Sequence, residues 1–391
     1  MRILRIVDLP WDRRLGAARI FVELSRAWEA AGHEVSHYCL GDAFPAATSS
    51  PAVSAWRRLR FPAKAAAFVR KDATRFDVID CIVGALPVRK ERLNFAGLLV
   101  ARSIGSHRLY RDFEKMARKR WPDQPRGKLS GRIFYTIFQR QLLRNSEKAM
   151  RYCDLVNLPN ENELEELEPS KPAIVQPYGL TEQWRQKLME MQAPAETRLA
   201  QCKISFIGMW STRKGAKDWC QIIRRVRAIV PAAQFKFLGT LTENERVLRD
   251  LEVSVCDWIE IVPEFHPDEL PKLLSDSTVG AFPTYAEGFG LALLEQLAAG
   301  IPTVSYDAPG PRSILQRTLP ELLVPVGNVE KFSEALIQTL CADLTSYRKF
   351  IERCAEVARR FLWSTIAKET AHLYEAHLAR VRNNSEFSAH G

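Results

Sequence analysis

Apolar and polar positions along the chain follow two alternating regimes. Short apolar runs recur, and between many of them lie stretches of ten or more residues with helical spacing. Ile3–Val7, Glu34–Leu40, Asp77–Ile82, Gly97–Arg102, Leu155–Pro159 and Ala173–Pro177 read as one set of strands. Lys203–Gly208, Gln234–Leu238, Trp258–Val262, Val279–Pro283, Thr303–Tyr306 and Leu322–Pro325 read as a second. Strand–helix alternation predicts parallel sheets with right-handed crossovers, so the fold class is α/β with two Rossmann-like, doubly wound domains. Gly179 closes the first set, and a polar stretch precedes Lys203. The expected domains are therefore 1–180 and 200–362, with 181–199 as a linker. Pro/Gly/Ser-rich residues at 42–56 and 121–131 read as loops. The helical pattern over 363–384 is a candidate last helix, and the tail NNSEFSAHG reads as frayed.

Size and composition sharpen this picture. A chain of 391 residues, 46% hydrophobic, suits two domains rather than one core. No window offers the ~18 uninterrupted apolar residues of a membrane-spanning helix. The opening MRILRIVDLPWDRR has an apolar run broken by Asp8 and no small-residue cleavage site, so it reads as a first strand and not a secretory signal. Eight scattered cysteines with no CxxC pair read as small core residues in a reducing, cytoplasmic compartment, with no metal site expected.

Charge is unevenly spread. The formal net charge is +10, but residues 51–151 hold 24 Lys/Arg against 8 Asp/Glu, and residues 152–391 carry a net −6. A basic segment of this size points to a polyanionic partner or to a solvated basic face. Within it, Arg108, Arg111, Lys115, Arg118, Lys119 and Arg120 interleave with Leu109, Tyr110, Phe113, Met116 and Trp121. Residues 132–151 place Ile133, Phe134, Ile137 and Phe138 on one helical side. Both stretches suit an interfacial helix on anionic lipid, or a helix packed on a sheet with solvated arginines. No nucleic-acid-binding motif accompanies the charge, so nucleic acid is not an expected partner.

Three strand–loop–helix units carry candidate chemistry. In TYAEGFGLALLEQLAAG, the Glu287-Gly288-Phe289-Gly290 loop precedes a strong helix former starting near Leu291 and stopping at Gly300. Glycines ahead of a helix admit a ligand to the backbone, where free N–H groups suit an anion. Glu295 lies about a turn and a half into that helix. A helical side chain leans toward the N-terminus, so its carboxylate can reach back toward Glu287 unless that face is simply exposed. In FIGMWSTRKGAK, Arg213 and Lys214 stand beside Gly215 ahead of a helix, where two cations oppose the dipole unless an anion joins them. In the first unit, Gly16 with Ala17 and Ala18 allows close backbone approach, although GxGxxG is missing. Without that fingerprint and its acidic partner ~20 positions on, a dinucleotide-dependent oxidoreductase is a less favoured alternative.

These units together resemble the family-4 retaining glycosyltransferases of GT-B fold, two Rossmann-like domains facing each other across a cleft. The resemblance rests on Glu287 and Glu295 within EGFGLALLE, on GMWSTRKG, and on the Gly16 loop with GHEV behind it. QPYGL at 176–180, AAGIPTVSYDAPGPRSIL and LLVPVGNVEKFSEAL extend the likeness over almost the whole chain. It implies transfer of a sugar from a nucleotide-diphosphate sugar, a substrate and not a cofactor, to a glycan or lipid-linked oligosaccharide acceptor in polysaccharide assembly. Glu287 would hold donor-sugar hydroxyls and Glu295 the nucleotide ribose. The backbone of Gly288, Phe289, Gly290 and Leu291, with Lys214, would hold the diphosphate, which Gly16 would approach from the other domain.

The likeness also implies an acceptor-side first domain, an anionic membrane surface at the cytoplasmic face as partner of 51–151, and a last helix packing back on that domain. Lacking a DxD-like pair at a strand end, the chain is expected to need no metal. Two positions depart from the family pattern. Met209-Trp210 stands where an arginine is usual, leaving Arg213 to substitute, and Ile104 takes the histidine slot of RSHG, leaving nearby His107 to contact sugar or acceptor. These departures keep a non-catalytic nucleotide- or sugar-binding scaffold as a further alternative.

Overall fold

The computed structural model describes residues 1–13, 15–122 and 129–389, with the side chains of 129, 130, 132, 133 and 384–389 outside the description. The chain divides into two compact units, 1–178 with 363–391, and 179–362. Unit 1 begins with β1 (Arg2–Val7), α1 (Gly16–Ala30), β2 (Glu34–Cys39), α2 (Leu40–Ala43), α3 (Pro51–Asp72), β3 (Val78–Ile82) and β4 (Leu98–Arg102). It continues with α4 (His107–Arg120), α5 (Leu129–Tyr152), β5 (Leu155–Leu158), α6 (Glu161–Leu167) and β6 (Ala173–Val175). Unit 2 opens with α7 (Glu182–Glu190), α8 (Ala195–Gln201), β7 (Lys203–Ile207), α9 (Trp219–Ile229), β8 (Gln234–Leu238), α10 (Asn244–Leu251) and β9 (Ile259–Val262). There follow α11 (Leu270–Leu274), β10 (Val279–Phe282), α12 (Leu291–Ala298), β11 (Thr303–Tyr306), α13 (Pro309–Leu315), β12 (Leu323–Val324), α14 (Val329–Leu340) and α15 (Leu344–Arg360). The chain then returns to unit 1 as α16 (Trp363–Ala389).

Each unit holds one six-stranded parallel sheet, ordered β2-β1-β3-β4-β5-β6 in unit 1 and β12-β11-β10-β7-β8-β9 in unit 2. Every expected strand is present, and the inner strands, buried on both faces, read as near-continuous apolar runs. Strand order reverses between β1 and β3 in one sheet and between β7 and β10 in the other. Loops leaving such neighbours at their carboxyl ends diverge to opposite faces and leave a crevice where ligands bind in this architecture.

Three expectations change. Residues 42–56 are not one loop: α3 begins at Pro51, a residue well placed at a first helical position, with Ser50 accepting from the Val53 N–H at 3.4 Å. The supposed linker 181–199 folds as α7 and most of α8 inside unit 2, whose boundary falls at Gly179. Thr181 caps α7 by accepting from the Trp184 N–H at 3.2 Å, and the Leu180 N–H donates to the Phe361 carbonyl at 2.9 Å. Most of the expected loop 121–131 lies outside the described residues, and α5 starts at Leu129 within it.

The sheet of unit 1 carries a charged group that its apolar pattern does not announce. Arg5 on β1 and Arg102 on β4 both pair with Asp80 on β3, at 3.3 and 2.9 Å, with all three side chains inaccessible. Arg5 lies over the rings of Phe21 and Trp28. Tyr374 on α16 donates its hydroxyl to Asp80 at 2.7 Å and accepts from Arg102 at 2.9 Å. Burial pushes the Asp80 carboxyl up, but Arg102 and then Arg5 outweigh it, holding the group below the usual carboxylate range. The Trp28 indole on α1 donates to the Ala367 carbonyl at 3.0 Å, which ties α16 to α1 as well as to the sheet. No helix among the described residues is long and apolar enough to cross a membrane.

Candidate functional site

The switch point of unit 2 brings two of the sequence-derived motifs together. Past β7 the chain turns at Gly208, runs through Met209–Ser211 and forms a short 3-10 turn over Thr212–Lys214. Gly215 ends that turn with φ +84°, and a Cβ there would lie 2.3 Å from the Pro283 carbonyl oxygen. Only glycine fits such a position, so the Lys214 loop is pressed against the strand end of β10. Three further bonds join the loops: the Tyr285 N–H donates to the Arg213 carbonyl, Arg213 Nη1 donates to the Ala286 carbonyl, both at 2.8 Å, and Thr284 Oγ1 reaches the Arg213 carbonyl at 3.4 Å.

This clamp sets the charges. Lys214 Nζ donates to Glu287 Oε2, and Arg213 Nη1 lies 3.5 Å from the same oxygen. The Lys214 ammonium also sits over the Phe282 ring, 4.8 Å from its centroid. Burial draws the Lys214 ammonium below its ordinary range, against the pull of Glu287. Burial pushes the Glu287 carboxyl up, yet Lys214 and then Arg213 bring it below the ordinary carboxylate value. At neutral pH Glu287 is thus an anion, held against the Lys214 and Arg213 side chains.

Beyond Glu287, Gly288 and Phe289 are buried and Phe289 packs edge-on against Phe361, 5.5 Å between centroids. Gly290, at φ +110°, is the residue from which α12 starts, so Leu291 follows a glycine-led turn into the helix. Glu295 is 5% exposed, and its Oε1 accepts from Trp184 Nε1 on α7 at 3.0 Å. The face carrying Glu295 is thus a buried helix face with a partner, not a solvated one.

Residues 201–342 match the family model of the glycosyl transferases group 1. This group 1 region contains Arg213, Lys214, Glu287 and Glu295, and the match bears out the resemblance read from the sequence. The chain is 35% identical over 89 residues to phosphatidyl-myo-inositol mannosyltransferase of Mycobacterium leprae, covering 23% of this chain and 24% of that protein. It is 25% identical over 182 residues to D-inositol 3-phosphate glycosyltransferase of Corynebacterium kroppenstedtii, covering 44% and 40% respectively. The matched stretches span less than half the length of these relatives. Among solved structures, sucrose-phosphate synthase from Thermosynechococcus elongatus superposes with a TM-score of 0.73 at 17% identity, over 97% of this chain and 100% of that one. Anabaena HepE in complex with UDP gives 0.65 at 14% identity, over 96% and 100%. These likenesses show the fold, the expected pairing of two doubly wound units of GT-B class.

The remaining candidates lie in unit 1. Gly16 is the first residue of α1, beside the switch point at β1, and a Cβ there would meet nothing within 4 Å. His107 is the first residue of α4, which Ser106 caps by accepting from the Arg108 N–H at 3.1 Å. Burial lowers the His107 imidazole, Asp8 raising and Arg58 lowering it less, so the ring is neutral at neutral pH. It lines a cavity of about 430 Å³ with Ser103, Ser106, Arg108, Met150 and Arg151 among others. Behind the cavity wall, buried Glu163 accepts from Ser103 Oγ at 2.7 Å and from the Ser106 N–H at 2.9 Å. At the end of β2, His37, Cys39 and Asp42 bring one donor atom each within 4.8 Å. That grouping has a structural cause, since Asp42 accepts the Cys39 N–H at 2.7 Å and Trp11 stacks on His37.

Several residues of the site escaped sequence reasoning. Trp184 lies in the polar stretch ahead of Lys203, and Gly310 within AAGIPTVSYDAPGPRSIL. The Gly310 N–H donates to the Glu287 carbonyl at 3.0 Å, and a Cβ on Gly310 would lie 2.3 Å from the Phe289 oxygen. A glycine between two prolines just past a strand is a legible sign of such close approach. Asp218 accepts from the hydroxyls of Tyr285 and Tyr306, both at 2.7 Å, fixing the ends of β10 and β11 to the start of α9.

Proposed function

We propose that this protein is a retaining glycosyltransferase that moves a sugar from a nucleoside-diphosphate sugar to a glycan or lipid-linked acceptor in cell-surface polysaccharide assembly. The observation that carries the reading is the Arg213–Lys214–Glu287 group at the switch point, next to the glycine-led start of α12. Breaking the bond between the anomeric carbon and the diphosphate places growing negative charge on the leaving phosphate. Lys214 and the backbone N–H groups around Gly290 and Leu291 provide the positive field that stabilises it, and one such donor is typically worth ~3–4 kcal/mol of barrier. Without ligand, Lys214 spends its charge on Glu287. A bound diphosphate shares that cation, and Glu287 then accepts from donor-sugar hydroxyls. Arg213 takes over the position left by Met209. Glu295 reads the ribose.

The anionic leaving phosphate accepts the acceptor's proton on the same face of the sugar, giving retention. No metal ion or cofactor is invoked, since the cations of the site come from its own side chains. In unit 1, the neutral imidazole of His107 contacts a sugar or acceptor hydroxyl, and Gly16 leaves the backbone open to a phosphate. The names of the relatives, inositol and mannosyl transferases, support a polyhydroxylated acceptor.

The basic segment supports peripheral contact with an anionic membrane at the cytoplasmic face. Trp56 on α3 and Phe134 and Ile137 on α5 are exposed large apolar side chains, and the last turn of α4 carries Arg118, Lys119 and Arg120. Phe138, by contrast, turns inward and stacks on Phe134. Ile133 lies outside the described side chains.

A thermal-shift panel of UDP, GDP, ADP, dTDP and NAD tests the donor reading. A ligand at 100 times its dissociation constant adds ~2.7 kcal/mol. One nucleoside diphosphate should raise the unfolding temperature, and a shift with NAD alone would reject the reading. Glu287→Ala should abolish sugar transfer; transfer that survives it would move the site elsewhere.

A further inference from the structure

We propose that Trp184 is a positioning residue of the nucleotide site, its indole N–H holding the Glu295 carboxylate in the orientation that distinguishes ribose from deoxyribose. The inference rests on the donor reading above and extends it to a residue outside the Lys214 and Glu287 loops. Glu295 is a carboxylate on a buried helix face, between Leu294 and Gln296, which are fully buried. A carboxylate has about four lone-pair sites, so the bond at Oε1 constrains its rotamer without exhausting its capacity to accept.

The donor is built to be rigid. An indole has two side-chain torsions and a single N–H that can only donate. Trp184 is itself 8% exposed, with the Lys187 ammonium 5.8 Å from its ring centroid. Its backbone N–H is taken by the Thr181 cap, and the start of α7 is anchored by the Leu180 bond to Phe361. Trp184 therefore cannot follow Glu295 if the carboxylate turns. Beyond the packing of its ring against α12, which a benzothienyl ring of the same shape would reproduce, the indole adds one thing: a hydrogen-bond donor aimed at Glu295. A site that pairs a fixed carboxylate with a ligand hydroxyl rejects the analogue lacking that hydroxyl, because the acceptor is then left unpaired.

The test compares Trp184→Phe with the unaltered protein by calorimetric titration of UDP and of its 2′-deoxy and 3′-deoxy analogues, with GDP, ADP or their analogues used if the panel selects another base. The unaltered protein should prefer the ribonucleotide by about 10- to 100-fold, the range for a hydrogen bond to a charged acceptor. Trp184→Phe should lose most of that preference through weaker ribonucleotide binding, leaving the deoxy analogue within about threefold of its original affinity. Glu295→Gln should do the same, and the double variant should lose no more than either single one.

Equal weakening of ribo and deoxy ligands in Trp184→Phe would show a packing role and overturn the proposal, as would undiminished discrimination. If Phe leaves α7 unfolded by circular dichroism, β-(3-benzothienyl)alanine at position 184 keeps the ring shape and removes only the N–H. Absence of any nucleoside-diphosphate binding by the unaltered protein would instead reject the donor reading, and the proposal with it. Binding without ribose discrimination in the unaltered protein would reject the proposal alone.

Discussion

Replacing Glu163 by Gln should remove a pH dependence built into unit 1. Glu163 is 1% exposed and receives the Ser103 hydroxyl and the Ser106 N–H. Burial raises its carboxyl from an ordinary 4.5 to about 7; the two serine bonds pull it down less strongly, and Glu166 adds to the rise. Because the folded value lies above the unfolded one, the folded state binds the extra proton between these limits. The stability contribution is fully present below pH 4.5 and is lost as pH rises through about 7. The displacement corresponds to about 3 kcal/mol.

Gln has the same shape and no charge to bury, so the stability of the variant relative to the unaltered protein should rise by about 3 kcal/mol from pH 4.5 to above 7. Native-state hydrogen exchange at the β4 amides, at pH values spanning 5 to 8 and corrected for intrinsic rates, reads this within unit 1. If both proteins lose the same stability over that range, Glu163 does not titrate there and the reasoning from its burial is refuted.

Other consequences are local. Tyr374→Phe removes a hydroxyl that Asp80, Arg102 and Asn157 share, at 2.7, 2.9 and 3.1 Å. It should destabilise unit 1 by about 2–3 kcal/mol in urea unfolding while leaving nucleotide affinity unchanged. Gly310→Ala drives a Cβ onto the Phe289 oxygen, so it should cost about 1–3 kcal/mol of stability and weaken nucleoside-diphosphate binding by calorimetry; no change in either would mean the loop yields freely. Neutralising Arg118, Lys119 and Arg120 together with Gln should reduce binding to vesicles rich in anionic lipid, at ~1 kcal/mol per charge, without altering nucleotide affinity. Unchanged vesicle binding would remove the α4 terminus from the membrane account.

The sheets were legible because parallel strands covered on both faces leave little room for polar residues. Strand ends shift by a residue or so, as at Gly208 and Pro283, where the last expected residue already belongs to a loop. What the pattern misjudged was chemistry with long-range partners. Arg5, Asp80 and Arg102 interrupt apolar strands, and only the β1–β3–β4 adjacency reveals that both arginines share the one carboxylate. Trp184 in a polar stretch gains meaning from a glutamate 111 positions away. Pro51 reads as a breaker in isolation, yet with Ser50 before it the same residue starts a helix. Lys214 and Glu287 were separate candidates in sequence, and the fold makes them one ion pair, 73 positions apart, through the glycine contact at Gly215.

The most direct test of a donor site at this ion pair is titration calorimetry of the nucleoside diphosphate selected by the panel, against the unaltered protein and Lys214→Met. The unaltered protein should bind, and Lys214→Met should bind about 10- to 100-fold more weakly, the effect of losing one charge-assisted bond to the diphosphate. A folded Lys214→Met protein that binds the diphosphate as tightly as the unaltered one would contradict the account.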